Sequence, residues 1–65
     1  DRIVVDADNI ATVIDYKTGD RRPAKHRDQV REYITRLRAT SLFADVRGVL
    51  WYLKDRENPF DWVYD

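Results

Sequence analysis

No cysteine occurs in this chain, so neither a disulfide framework nor a thiolate zinc site is available to it. Methionine is absent as well, and the chain opens on a charged residue heading into a strand, which reads as a piece excised from a larger protein. No apolar run approaches the roughly 20 residues that a membrane span needs, and nothing resembles a signal peptide. The default reading is a cytoplasmic, soluble protein with no membrane partner. There are no repeats, no low-complexity segment and no linker. Net charge is also missing: twelve Lys and Arg balance twelve Asp and Glu. That balance argues against a generic nucleic-acid-binding tail.

What remains is 65 residues, enough for a single domain over 1–65. It is a marginal domain, because a chain this short buries only about 60% of its unfolded surface. Its charge is unevenly spread. Residues 1–16 carry four acids and one base, 17–38 carry eight Lys and Arg against three acids, and 39–65 carry three bases against five acids. The positive band therefore directly follows the acidic start. Such a band beside carboxylates suits a polyanionic substrate, although charge by itself reads first as a solvated helix face.

The element order is ββαββ. Arg2–Asp6 is strand-like, with β-branched residues between polar ones. Asp6-Ala7-Asp8-Asn9 is a turn cluster, and Ile10–Lys17 is the second strand of a hairpin. The turn faintly resembles a calcium loop but lacks the glycine and distal glutamate of one. Thr18–Pro23 forms a loop, with Pro23 marking entry to a helix from Ala24 to about Ala39. Val30, Tyr33, Ile34 and Leu37 fall at i, i+3, i+4 and i+7, the stripe of an amphipathic helix. Val46–Leu53 reads as a third strand and Phe60–Tyr64 as a fourth. The fold class is α+β, a mixed sheet with one amphipathic helix packed on it.

Strand alternation places Ile3, Val5, Ala11 and Val13 on the face of Asp1, Asp15 and Lys17. Val4, Ile14 and Tyr16 make the opposite face apolar too. A sheet apolar on both faces expects cover on both, and one helix covers only one. A further covering element is expected outside this chain.

Asp15 and Lys17 thus fix a carboxylate and an ammonium side by side at the end of a strand. If the hairpin closes near Ala7-Asp8, Asp1 lies across from about position 15, with Cβ atoms about 4.5–5.5 Å apart. Two carboxylates that close repel unless a cation or proton sits between them. Lys17 partly neutralises them. Magnesium, an oxygen-seeking ion that keeps several waters, does so better, and it can polarise a phosphodiester. Lys17 would then stabilise charge on phosphoryl oxygens or orient the water. Gln29 and Tyr33 share a helix face and lean toward the helix N-terminal end, which follows the loop from Lys17. Both can reach the site, although Tyr33 is also a core candidate. An acid-x-lysine triplet alone remains compatible with a plain surface ion pair.

Asp1-Arg2-Ile3, then Ile14-Asp15-Tyr16-Lys17-Thr18-Gly19, then Gln29-Val30-Arg31-Glu32-Tyr33, resemble the ordered motifs of the PD-(D/E)xK nuclease superfamily, and more narrowly its RecB-type branch. The motifs span about half the chain. The resemblance implies a restriction-endonuclease-like core and a partial nuclease domain, because the family's upstream helical segment, which often supplies a Glu or His, lies outside this sequence. It implies that Asp1 and Asp15, with the backbone carbonyl of Tyr16, ligate magnesium or manganese. Lys17 becomes the catalytic lysine, and Gln29 and Tyr33 an accessory pair near the metal and DNA. Implied with it are a helicase motor in the parent protein and DNA-end processing in repair.

Arg21, Arg22, Lys25 and Arg27 are expected to contact phosphates without reading sequence, which makes binding salt-dependent. His26 reads as a solvent-exposed polar residue ahead of a catalytic base. Trp51, Tyr52, Phe60, Trp62 and Tyr64 read as an aromatic hairpin packed against the helix or against absent parts of the protein, with stacking on single-stranded bases as the other possibility. Two further readings stand beside an active nuclease. One is an inactive nuclease fold kept for DNA binding or scaffolding, and the other is a small α+β interaction module.

Overall fold

A computed structural model describes residues 1–64. Strand β1 (Arg2–Val5) turns into β2 (Ile10–Lys17), helix α1 (Pro23–Ala39) follows, and β3 (Asp45–Tyr52) and β4 (Phe60–Val63) close the chain. The four strands form one sheet in the order β1-β2-β3-β4. Both hairpins are antiparallel, whereas β2 and β3, joined through the helix, run parallel. The α+β class, the mixed sheet and the element order therefore match the sequence reading. Four strand boundaries and the helix start differ from it by one residue.

Local chemistry explains each boundary. In the first turn Asp6 Oδ1 accepts the backbone N–H groups of Asp8 and Ile10, at 2.9 and 3.1 Å. That carboxylate is used as a turn brace, as Asx turns use it. Asn9 adopts the left-handed conformation (φ 61) that its side chain tolerates. Its amide then donates to the Leu42 carbonyl, tying the hairpin to the segment after the helix. Pro23 opens the helix, where its missing N–H costs nothing, although no side chain caps this end. Ser41 ends the last turn in the left-handed region (φ 57), while the Thr40 and Ser41 N–H groups bond back to Leu37 and Arg38.

The core lies between α1 and the sheet. Ala11, Val13, Val30, Ile34, Val46, Leu50, Tyr52 and Val63 form one buried cluster, with Leu37 and Phe43 at its margin. Tyr33 is 40% exposed, so it leaves the expected apolar stripe and flanks the core. The helix packs on β3 and to a lesser degree on β2 and β4. It does not extend over β1, whose Ile3 and Val5 remain about half exposed on the helix side.

The expected aromatic hairpin divides between the two faces. Tyr52 is buried under the helix. Trp51 and Phe60 lie on the opposite face, where Tyr16 stacks on Trp51 (centroids 5.4 Å) and Trp51 on Phe60 (5.2 Å). Trp62 joins them with the Arg47 guanidinium over its ring. Nothing among the described residues covers this second face. Strand alternation, not hairpin membership, decides where each ring goes.

Gly48 sets how closely the two layers approach. A Cβ at this position would stand 2.2 Å from Val30 Cγ1 and 3.2 Å from Ile34 Cδ1. Valine is short and stiff at χ1, so it cannot swing away. Gly48→Ala should therefore lift the helix and destabilise the fold by about 1–3 kcal/mol, as overpacked cores do. Urea unfolding checks this, and an unchanged midpoint would show that the helix is not seated on Gly48.

Candidate functional site

The site grows from one row of the sheet. The register pairs Arg2 with Ile14, which puts Asp1 beside Asp15, and pairs Asp15 with Leu50 and Leu50 with Asp61. Residues paired across a sheet share a face. All four of these therefore face the helix side, with Asp15 in the middle of the sheet. The next row pairs Lys17 with Tyr52 at the carboxyl ends of the two parallel strands. In open sheets with parallel strands, this is the end where ligands gather.

Asp15 is the one charged residue buried in the described structure, at 4% exposure. Its Oδ2 meets the Lys17 ammonium at 3.2 Å. The same ammonium donates to Gln29 Oε1 at 3.0 Å. Gln29 thereby aims the lysine back at the carboxylate from the helix side. Farther along the helix, the Tyr33 hydroxyl donates to Asp1 Oδ2 at 3.2 Å. The five side chains singled out by sequence, Asp1, Asp15, Lys17, Gln29 and Tyr33, thus form two hydrogen-bonded groups side by side. The Tyr16 ring packs on the other face against Trp51, so only its backbone belongs to this side.

These groups suit an oxygen-seeking divalent ion. The buried Asp15 carboxylate meets Lys17 through Oδ2 and stands beside Asp1 in the register, so the two carboxylates could share a cation. No cluster of three or more His, Cys, Asp or Glu side chains is present among the described residues. The residues that could hold an ion are Asp1 and Asp15 with the Tyr16 backbone carbonyl, oxygen donors of the kind magnesium takes.

The four cations expected to meet phosphate divide into two kinds. Arg27 forms a two-pronged pair with Asp61, at 2.8 and 2.9 Å, and this pair raises the guanidinium pKa. Arg21 donates to Asp55 and to the Asn58 carbonyl while its guanidinium lies over the Tyr52 ring at 4.2 Å. Asp55 in turn is held below the usual carboxylate range, first by the Asn58 backbone N–H and then by that of Glu57 and by Arg21. Arg21 and Arg27 thus brace the β3–β4 hairpin against the loop and the helix. Arg22 and Lys25 are exposed and carry no ion pair among the described residues. An open cleft of about 600 Å³ is lined by Gly19, Asp20, Arg21, Tyr52, Lys54 and Asp55 among others, and meets the site only through Tyr52, the register partner of Lys17.

One residue corrects the sequence reading. His26 is not a freely exposed polar residue: it is partly buried, and its Nδ1 lies 3.0 Å from the Tyr52 hydroxyl. Its pKa is lowered by burial and then by the Lys17 charge, against a smaller opposing pull from Asp15. Tyr52 packs beneath the helix as the sequence reading allows, and burial raises its pKa. The signal for His26 was present in its spacing, because 26, 29 and 33 fall at i, i+3 and i+7 on one helix face. Comparison of the chain with protein-family models, curated proteins and solved structures finds no match.

His26 gives the fold a specific pH dependence. The folded state binds its proton less readily than the unfolded chain, whose histidine titrates at the ordinary 6.5. The contribution of neutral His26 is therefore complete above 6.5 and is lost as the pH falls toward its lower folded value. Urea midpoints should decline between about pH 7.5 and about pH 5.5, and His26→Gln should flatten that decline. Equal slopes for both proteins would remove His26 as the cause.

Proposed function

We propose that this chain is a metal-dependent DNA nuclease module with a restriction-endonuclease-like core of the RecB type. Its role would be DNA-end processing beside a helicase motor. The observation that carries the proposal is the Lys17 ammonium, held between buried Asp15 at 3.2 Å and Gln29 at 3.0 Å. Asp1 and Tyr33 stand hydrogen-bonded next to them. A surface ion pair does not require a buried carboxylate, and it does not require a glutamine to orient its lysine.

The reaction is hydrolysis of a phosphodiester. Water adds to phosphorus, one P–O ester bond breaks, and the products are a hydroxyl end and a phosphate end. Asp1 and Asp15, with the Tyr16 carbonyl, would hold magnesium or manganese. When bound, such an ion supplies Lewis-acid polarisation of the phosphodiester and lowers the pKa of water. Lys17 places a fixed positive charge where negative charge grows on the phosphoryl oxygens. Gln29 keeps Lys17 from turning out to solvent, and the Tyr33 hydroxyl restrains the Asp1 carboxylate near the strand terminus. Arg22 and Lys25, free of ion pairs among the described residues, extend the positive surface toward the DNA backbone.

The site and its activity can be tested separately. Magnesium or manganese should raise the melting temperature of the wild-type protein, because a ligand that binds the folded state stabilises it. Asp15→Asn should lose that shift. In the complete polypeptide, wild-type protein should degrade DNA with magnesium present, while Asp15→Asn and Lys17→Ala should lower the rate by about 100-fold or more. A metal-dependent shift without cleavage would favour a scaffold or DNA-binding role. Equal melting and equal cleavage in all three proteins would end the nuclease reading.

A further inference from the structure

Across the sheet from Lys17 stands Tyr52, buried and directly paired with it in register. Above Tyr52 lies His26, its ring tilted 40° to the tyrosine ring with centroids 5.8 Å apart. On the helix, His26 begins a line that continues through Gln29 over Lys17 and ends with Tyr33 over Asp1. Three polar side chains therefore descend from one helix face onto three consecutive parts of the same site.

The bond between His26 and Tyr52 fixes what the imidazole offers. A buried hydroxyl hydrogen left without an acceptor is costly. Among the described residues, His26 Nδ1 is the only acceptor within reach of the Tyr52 hydroxyl. With Tyr52 donating to Nδ1, a neutral imidazole carries its hydrogen on Nε2. Burial and the nearby Lys17 charge favour that neutral form. The outcome is an N–H donor of fixed tautomer within electrostatic reach of Lys17 and Asp15.

We infer that His26 is a substrate-contacting residue of this site, its Nε2–H donating to a phosphate oxygen of bound nucleic acid while Tyr52 holds the tautomer. The inference rests on the nuclease reading above. It extends the phosphate contacts from Lys17 toward the cleft lined by Arg21 and Tyr52. The contact supplies affinity and register, not proton transfer.

Amide substitutions distinguish the two ring nitrogens. Glutamine can place an N–H near the Nε2 position, whereas asparagine reaches only as far as Nδ1 and so preserves the Tyr52 partner alone. The Kd of a fluorescent DNA duplex, measured in calcium to prevent cleavage, should rise about tenfold or more in His26→Ala and His26→Asn, while His26→Gln stays within about threefold of wild type. In magnesium, the same two variants should raise KM more than they lower kcat. Melting temperatures identify any variant that is merely misfolded. If His26→Asn binds as wild type and His26→Gln does not, His26 serves only as the structural partner of Tyr52. If all three bind as wild type while Asp15→Asn abolishes cleavage, the His26 contact is refuted and the nuclease reading stands. Unimpaired cleavage by Asp15→Asn would overturn both.

Discussion

The close approach of the helix to β3 at Gly48 sets the position of every group in the site. Val30 and Ile34 rest on the glycine, where no side chain separates the layers. Each polar residue of the site is a helical neighbour of one of these contacts. Gln29 precedes Val30 and meets Lys17, while Tyr33 precedes Ile34 and meets Asp1. His26 and Arg27, one turn earlier, meet Tyr52 and Asp61. Any rise or rotation of the helix would disturb these contacts together. Packing density at one glycine thus becomes positional precision at a polar site several residues away.

The same geometry explains a carboxylate in the core. Asp15 continues the face that carries Ala11 and Val13, so strand alternation commits it to burial beneath the helix. Desolvating a carboxylate is expensive unless a partner stays close. Lys17, two residues along, shares that face and supplies the partner, but its long side chain has freedom to leave. Gln29 restricts that freedom from above. A purely structural ion pair would be more cheaply replaced by apolar side chains of similar volume. Lys17 is thus a cationic group that Gln29 holds beside a buried carboxylate.

Much of this was legible in the chain because it depends on period alone. Two-residue alternation placed Asp1, Asp15 and Lys17 on one face, and four-residue spacing placed Gln29 and Tyr33 together. The hairpin turn at Asp6–Asn9 set the register that aligns Asp1 with Asp15. What alternation could not reveal was pairing between distant elements. His26 meets a tyrosine 26 residues away, and Arg27 an aspartate 34 residues away. Both depend on the parallel pairing of β2 with β3 and on the helix seat at Gly48, which no local pattern specifies. The division of the aromatic hairpin between the two faces follows from the pleat. Trp51 and Tyr52 are adjacent in sequence, yet the pleat sends them to opposite faces.

The arginine-rich segment shows why a charge count does not translate into a charged surface. Arg21, Arg27, Arg31, Arg36 and Arg38 each sit within 3.3 Å of an acid, namely Asp55, Asp61, Asp28, Glu32 and Asp45. The helical pairs at i,i+3 and i,i+4 contribute only a few tenths of a kcal/mol each. They nevertheless cancel most of the field that eight basic residues between 17 and 38 would otherwise project. A polyanion approaching the helix would therefore meet little long-range attraction. Under the proposed function, its recognition would rest on short-range donors such as Lys17 and Gln29, with Arg22 and Lys25 exposed nearby in the chain. The opposite face offers no comparable polarity: Tyr16, Phe60 and Trp62 are all at least 36% exposed there. An apolar surface of that kind calls for a packed cover. The sheet thus separates two kinds of surface in this small domain, with the buried polar groups beneath the helix and the exposed aromatic rings on the other side.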